Sequence, residues 1–389
     1  MMIFPRQSIV DTKRSLFLLT YFFSIVYAQP ALTFSGYVVT FPAVTTLDPT
    51  IASLTGDAER RLINSSRVRL RPAIDIDENS FIRLEWEAAI AYTSTGTSGS
   101  PNMDIPGQMQ RLIWNPVNGQ RWSVFHSIDR LFFRTMTGDI EWTLGRQRIA
   151  WGSGRVWNPT DLFNPLNPVN IVKIEKDGVD AITAKTILGN FTDVTCVWNP
   201  QNNRTSNYGI RLRTNISGFD FAAITGRFGQ RWNIGGDMTG SLFNAGIRCE
   251  CIFSGIDLSG SNRIVSTTIG IDNQFTDRLY GLIEYHFNGR GATNKLRYDL
   301  IALAKGELQN VGQDFITVQT AYLLHPLVTC SGMTMHSLTD QSGYVGSNIS
   351  YSASDESAIA FGGQYFYGDP LTEFKYYPQT IYIRFDTFF

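Results

Sequence analysis

Beyond its N-terminus the chain has no apolar run approaching the ~18 residues a membrane-spanning helix needs, which excludes a helical membrane bundle. It also lacks an excess charge of either sign. Its 33 Lys and Arg stand against 34 Asp and Glu, a net charge of -1, so no nucleic-acid partner is implied. Histidine occurs only as His126, His286, His325 and His336, and none sits in the spacing of a catalytic triad or a metal site. Neither a Walker loop nor a dinucleotide fingerprint is present. The chain therefore reads as a non-enzyme with no cofactor and no metal. Cysteine is scarce as well. By strand parity Cys249 and Cys251 fall with Ile247 and Phe253, and Cys196 with Val194 and Trp198, so these three read as small outward-facing hydrophobes.

Aromatic residues (13%) and glycines (34) are plentiful. At the N-terminus, Lys13 and Arg14 precede the apolar stretch Ser15 to Tyr27, and Val26-Tyr27-Ala28 offers small residues for cleavage. This is the pattern of a Sec signal peptide over 1–28, cut after Ala28. It leaves 29–389 as one exported domain. At the other end, Phe389, Thr387, Phe385, Ile383 and Ile381 share one face, while Tyr382, Arg384 and Asp386 share the opposite one. An oily face ending in a terminal Phe resembles the closing-strand signal read by the barrel-assembly machinery of Gram-negative outer membranes.

From Leu32 onward, segments of about ten residues alternate apolar and polar with period two, separated by turn residues. The pattern predicts an all-β fold, a transmembrane antiparallel β-barrel of about 18 strands, with 16 the next best count. Long external loops are expected at Pro42–Leu62, Ser94–Gln120, Trp151–Gly178 and Asn288–Gly312. Short periplasmic turns are expected at Thr137-Gly138, Leu188-Gly-Asn190, Ser217-Gly218, Met238-Thr-Gly240 and His325-Pro326. In such a barrel oil lies outside and water inside. Parity then sends Arg67, Arg69, Arg71, Arg83, Arg211, Arg213, Arg248 and Arg384 to the lumen with Glu85, Glu87, Glu250 and Glu284. His286 and Asp386 join them. An arginine or lysine turned to the lipid near the midplane would cost about 2–4 kcal/mol. These charges either set a field across a water-filled pore or brace a closed wall.

One stretch breaks the alternation: Gly145-Arg-Gln-Arg-Ile-Ala-Trp-Gly-Ser-Gly-Arg-Val-Trp-Asn-Pro-Thr-Asp-Leu-Phe-Asn-Pro-Leu-Asn-Pro168. Continuing the parity of Ile140, Trp142 and Leu144 would put Arg146 and Arg148 in lipid, so the strand must end or bulge near Gly145. The stretch then falls in the third external loop, 151–178. Trp151, Trp157, Leu162 and Phe163 need apolar surroundings, found either inside the lumen or within an outward loop packed on itself. Turned inward, Arg146, Arg148, Trp151, Arg155, Trp157 and Asp161 would shape a constriction. Its aromatics would suit sugar rings and its arginines carboxylate or phosphate groups.

The run G-R-Q-x-I-x-W-G-x-G-x-x-W-N-P-T-D-L-F-N-P resembles one found in porin-like outer-membrane proteins of Gram-negative bacteria. Ala304-Lys-Gly-Glu307 and Ala321-Tyr-Leu-Leu-His-Pro326 are similar too. The resemblance covers the chain loosely, with the first run its one specific part. It implies a barrel set in outer-membrane lipid, a lumen within each monomer, and passive transport of a small hydrophilic solute. Trimeric porins also tuck in a third loop, a parallel of topology that carries no residue assignments and leaves a homotrimer open. The expected function is passive diffusion of small hydrophilic solutes, anionic or carbohydrate. The alternatives are an export or structural barrel for an acidic polysaccharide, or a closed barrel with an adhesive or scaffolding role.

Overall fold

A computed structural model describes residues 31–96, 105, 107–163, 175–202, 205–255, 264–299, 303 and 310–389. The signal-peptide expectation, the Asn-Pro turns at 164–168 and the run 304–307 lie outside the described residues. The strands are β1 (Leu32–Thr46), β2 (Arg60–Asp77), β3 (Ser80–Thr93), β4 (Ile113–Asn118), β5 (Trp122–Thr137), β6 (Ile140–Gln147), β7 (Val179–Ile187), β8 (Asp193–Asn199) and β9 (Asn207–Ile216). They continue as β10 (Phe219–Phe228), β11 (Arg231–Leu242), β12 (Ala245–Ser254), β13 (Ile264–Thr276), β14 (Leu279–Asn288), β15 (Asp314–His325), β16 (Val328–Ser337), β17 (Gly343–Ser352), β18 (Ser357–Tyr367) and β19 (Gln379–Phe388). Each strand hydrogen-bonds antiparallel to its sequence neighbours, except that β3 pairs with β5. The sheet closes where β1 pairs with β19, from Tyr37↔Phe388 to Thr46↔Gln379. The result is a closed 18-strand barrel with one extra strand, β4. Closure leaves no edge, the condition for a sheet to sit in hydrocarbon. Phe389 completes the seam: its carbonyl accepts from the Gly36 amide (2.8 Å), its amide donates back to the Gly36 carbonyl (3.1 Å), and its ring lies 6.0 Å from that of Phe34.

Burial is inverted relative to a water-soluble sheet. On β13 and β14, Ile269, Ile271 and Ile283 are 54%, 49% and 50% exposed, whereas Thr268 and Glu284 are 1% and 0%. Apolar side chains thus face outward and polar ones inward, as the alternation predicts. All four cysteines are free, with Cys196 exposed.

Three details differ from the sequence reading. The first strand pair is longer than expected, so the first external link shrinks to 47–59 and carries a helix, α1 (Pro49–Thr55), capped by Asp48. The turn expected at Met238–Gly240 falls instead at Phe243 and Asn244, both with positive φ (49° and 67°). Two adjacent left-handed residues match the twist of a tight hairpin, and Asn tolerates that region well. β4 was not expected at all.

Candidate functional site

β6 stays in the wall for only eight residues. At Gly145 φ is +117°, and a Cβ there would run into the Leu131 carbonyl, so only glycine allows the chain to peel inward. β6 pairs with β5 from Leu131 to Thr137, while β4 pairs with the same strand at Ile113↔Ser127 and Asn118↔Ser123. β4 therefore occupies the edge that β6 vacates. Arg146 fills the notch between them. It is 2% exposed and grips the Asp180 carboxylate through Nε (2.8 Å) and Nη2 (3.0 Å). It also donates to the carbonyls of Ile128 (3.0 Å) and Gln110. Such a bidentate pair fixes geometry as well as charge.

Residues 151–163 then run along the inward face as a strap. Trp151 is buried with Ile149, Phe163, Val179, Ala181, Val197 and Ile224, its ring edge-on to Phe163 at 5.0 Å. Gly209 makes room for it, since a Cβ there would sit 2.7 Å from the indole. Next the backbone folds around two glutamates of the wall. Glu250 accepts from the amides of Ser153, Gly154 and Thr160 (3.2 Å), and from the Thr160 hydroxyl (2.7 Å). Glu284 accepts from the amides of Arg155 (3.0 Å), Val156 (3.2 Å) and Trp157 (2.6 Å). Both carboxylates are buried, and a buried charge is tolerable only when so fully hydrogen-bonded. Gly152, at φ +87°, is needed because a Cβ would lie 2.6–2.7 Å from Thr160, Asn158 and Glu250 oxygens. Within this limb Trp157 is stacked on His286 (4.8 Å, 13°) and donates its indole N–H to Thr317 (3.3 Å). The spacing of glycines, tryptophans and threonine in the motif is thus that of a backbone cradle for two carboxylates, closed by an apolar plug at each end.

The return limb meets the other wall. Glu175 pairs with Arg71, with Arg130 (3.0 Å) and with Arg69 (3.7 Å). Lys176 pairs with Asp161 of the outgoing limb, and the Gly178 amide donates to Asp129 (3.1 Å). Of the six residues expected at a constriction, Arg148 and Arg155 are exposed, while Arg146, Trp151, Trp157 and Asp161 are buried.

The charges sent to the lumen by parity fall into local sets. Arg67 and Arg69 meet Glu87 at 3.6 and 3.5 Å, and Arg69 and Arg71 meet Glu85 at 3.0 and 3.5 Å. Arg83 lies over the Phe81 ring at 5.7 Å. Arg211 pairs with Asp237 (3.6 Å), Arg213 with Asp193 (2.9 Å), Arg248 with Asp272 and Arg384 with Asp386 (2.9 Å). Glu250 and Glu284 take the strap. Sequence reasoning missed Asp129, Arg130, Glu175 and Asp180. The register shifts opposite Asp129, between Glu85 and Trp86, which puts Asp129 and Arg130 inward together. Glu175 lies in a loop, where no period exists to read.

The barrel's shape is shared with solved structures. Crystal structures similar to it include OccK9 (OpdG) of Pseudomonas aeruginosa, with TM-score 0.62 and 7% identity, covering 92% of this chain and 98% of that one. OccAB3 of Acinetobacter baumannii gives 0.57 and 9%, covering 92% and 99%. OccK8 (OprE) of P. aeruginosa gives 0.55 and 10%, covering 92% and 98%. At such identities the likeness is one of fold, over nearly the whole of each chain. No family model matches the chain, and no curated protein matches its sequence.

Proposed function

We propose that this chain is a porin-like channel of the outer membrane, through which small hydrophilic solutes diffuse passively down their gradients. The observation that carries the reading is wet charge on the inner wall. Arg213 keeps 46% and Arg71 28% of its side-chain surface accessible, and Arg83 and Arg155 are exposed. A lumen packed shut would cover them, whereas a water-filled one leaves them solvated and able to act on a passing ion. In this reading the strap narrows the bore, and the six residues Arg146, Arg148, Trp151, Arg155, Trp157 and Asp161 form or support the narrow zone. Within that set Arg148 and Arg155 would meet solute, while the buried four hold the backbone in place. The signal peptide, passage through the assembly machinery by way of the Phe389 strand, and a homotrimer belong to the same reading.

The dense pairing among β2, β3 and β5 favours one competing reading, a braced and closed wall. Planar-bilayer recording on refolded protein separates the two. Stepwise ion current is the expected result, and its absence at saturating insertion would sink the channel. A reversal potential in a salt gradient then reports the preferred sign of charge.

A further inference from the structure

On β10 one arginine faces the lipid and not the lumen. Ala222 and Ile224 are buried on the inner side, while Phe221, Ala223 and Thr225 are exposed on the outer one, and Arg227 continues that outer set. The strand is ten residues long, Phe219–Phe228, and a tilted strand needs about 9–11 residues to cross the hydrocarbon once. It leaves the short periplasmic turn at Ser217-Gly218, so Arg227 sits at the outer boundary of the lipid. No long loop stands over it, because β11 resumes at Arg231. Directly opposite Arg227 are Tyr208 of β9 and Trp232 of β11, and Trp198 of β8 is next in the row. All three rings are exposed, a stretch of the aromatic girdle expected at that height. Two of them do more than mark the boundary. β9 and β11 lie two strand spacings apart, about 10 Å, yet the rings of Tyr208 and Trp232 approach to 5.5 Å, edge to face. They lean together across Arg227, whose Nε is buried and has no hydrogen-bond partner. Among the described residues nothing pairs with this guanidinium. The lumen-facing arginines of the adjoining β9 differ: Arg211 has Asp237 (3.6 Å) and Arg213 has Asp193 (2.9 Å).

We propose that Arg227, walled by Tyr208 and Trp232, is a seat on the outside of the barrel for the phosphate headgroup of an outer-leaflet lipid. A cation turned to the lipid is most costly at the midplane and tolerable at the interface, where a headgroup can meet it. The planar fork of a guanidinium matches phosphate oxygens. The two rings hold the arginine stem against the wall and present apolar surface to the lipid beneath the headgroup. Charge complementarity then runs outward at this site, whereas every other arginine of β9 is answered from within the wall. The seat rests on the barrel's place in the outer membrane and not on the passage of solute. A barrel without current would leave it standing, and its own failure would leave the channel untouched.

Lipid binding by the refolded full-length barrel in a neutral detergent, counted by native mass spectrometry, provides the test. Phosphatidic acid is the probe, and diacylglycerol with the same chains is its phosphate-free counterpart. The native barrel should hold its first phosphatidic acid about tenfold more tightly than Arg227→Gln does, the share of one lost charge-assisted contact. Diacylglycerol should bind the two proteins alike. Equal affinity of native protein and variant for phosphatidic acid would overturn the proposal. A second measurement needs no variant: the native barrel must prefer phosphatidic acid to diacylglycerol, and equal binding of the two lipids overturns the seat. Inorganic phosphate in excess should leave the lipid in place. Displacement by it would make this a site for free phosphate and overturn the assignment to a lipid.

Discussion

The two limbs of the strap are held by opposite means. On the β12–β14 side, fixed carboxylates of the wall are clasped by peptide N–H groups, six amides and one hydroxyl on Glu250 and Glu284. On the β2–β5 side the strap offers a side chain, Glu175, to arginines on long flexible stems. Amide clasps need one backbone conformation and are dry, so they are stiff and barely feel salt. The ion pairs on the other wall are part-exposed, can re-form with other partners, and are screened by electrolyte. One constriction thus has a rigid jaw and a compliant one. The outer rim repeats the rigid device: Glu373, between β18 and β19, accepts from the amides of Val311 (3.2 Å) and Gly312 (2.8 Å).

Removing the rigid jaw should have the largest effect. With Glu250→Ala and Glu284→Ala together, the amides of residues 153–157 are left inside the barrel without acceptors, and hydrogen bonds to charged groups are worth about 1.5–3 kcal/mol each. The strap should leave its seat. The expected result is a several-fold larger single-channel conductance and new protease cleavage within 152–163. Conductance and cleavage like those of the native barrel would mean that the tryptophan plugs suffice alone.

A smaller effect is expected at the rim. Burial pushes the Glu373 carboxyl up to about 8, and nearby Asp340 adds to the shift, against the pull of the Gly312 and Val311 amides. The folded loop therefore keeps a proton that the unfolded chain gives up near its ordinary value of 4.5. Stability from this group is full below about 4.5, declines as pH rises, and is lost once pH passes about 8. Exchange protection of the Val311 and Gly312 amides should fall across that window. In Glu373→Gln the fall should vanish, and a persisting fall would assign it to another group.

The smallest effect is that of salt. Raising ionic strength from 0.1 to 1 M shortens the screening length from about 10 to about 3 Å. Amides at 176–178 should exchange a few-fold faster, and those at 153–157 should not change. Equal acceleration of both limbs would erase the distinction between the jaws.

The barrel was legible because lipid imposes a period of two on every strand, and a misplaced turn does not disturb it. The expectation at Met238–Gly240 took glycine for a turn, yet the two strands still pair as neighbours with the turn at Phe243–Asn244, and Arg248 and Glu250 are buried. The break at Gly145 was readable for a related reason: continued parity would have put two arginines in hydrocarbon. What could not be read was pairing across space. Arg146 looks like a pore residue in sequence, but its partners Asp180, Gln110 and Ile128 come from three other segments. Glu250 and Glu284 are held by backbone amides of the strap, and partners of that kind leave no trace in side-chain identity. β4 escaped because six residues containing Pro116, paired to one strand only, carry too short a pattern.

β4 has a consequence for how the protein can change over time. In most barrels external loops accept insertion and deletion freely, because the wall closes without them. Here a stretch of the second external loop is a panel of the wall, and it fits only because β6 has turned aside. The two loops are thus bound to a common fate. A deletion that lets β6 run straight would have to evict β4, and one that removes β4 would leave the outer end of β5 unpaired beside lipid, at several kcal/mol for each stranded peptide group. Lineages that retain the inward turn should vary in length elsewhere on the outer rim and keep the span from β3 to β5 nearly constant.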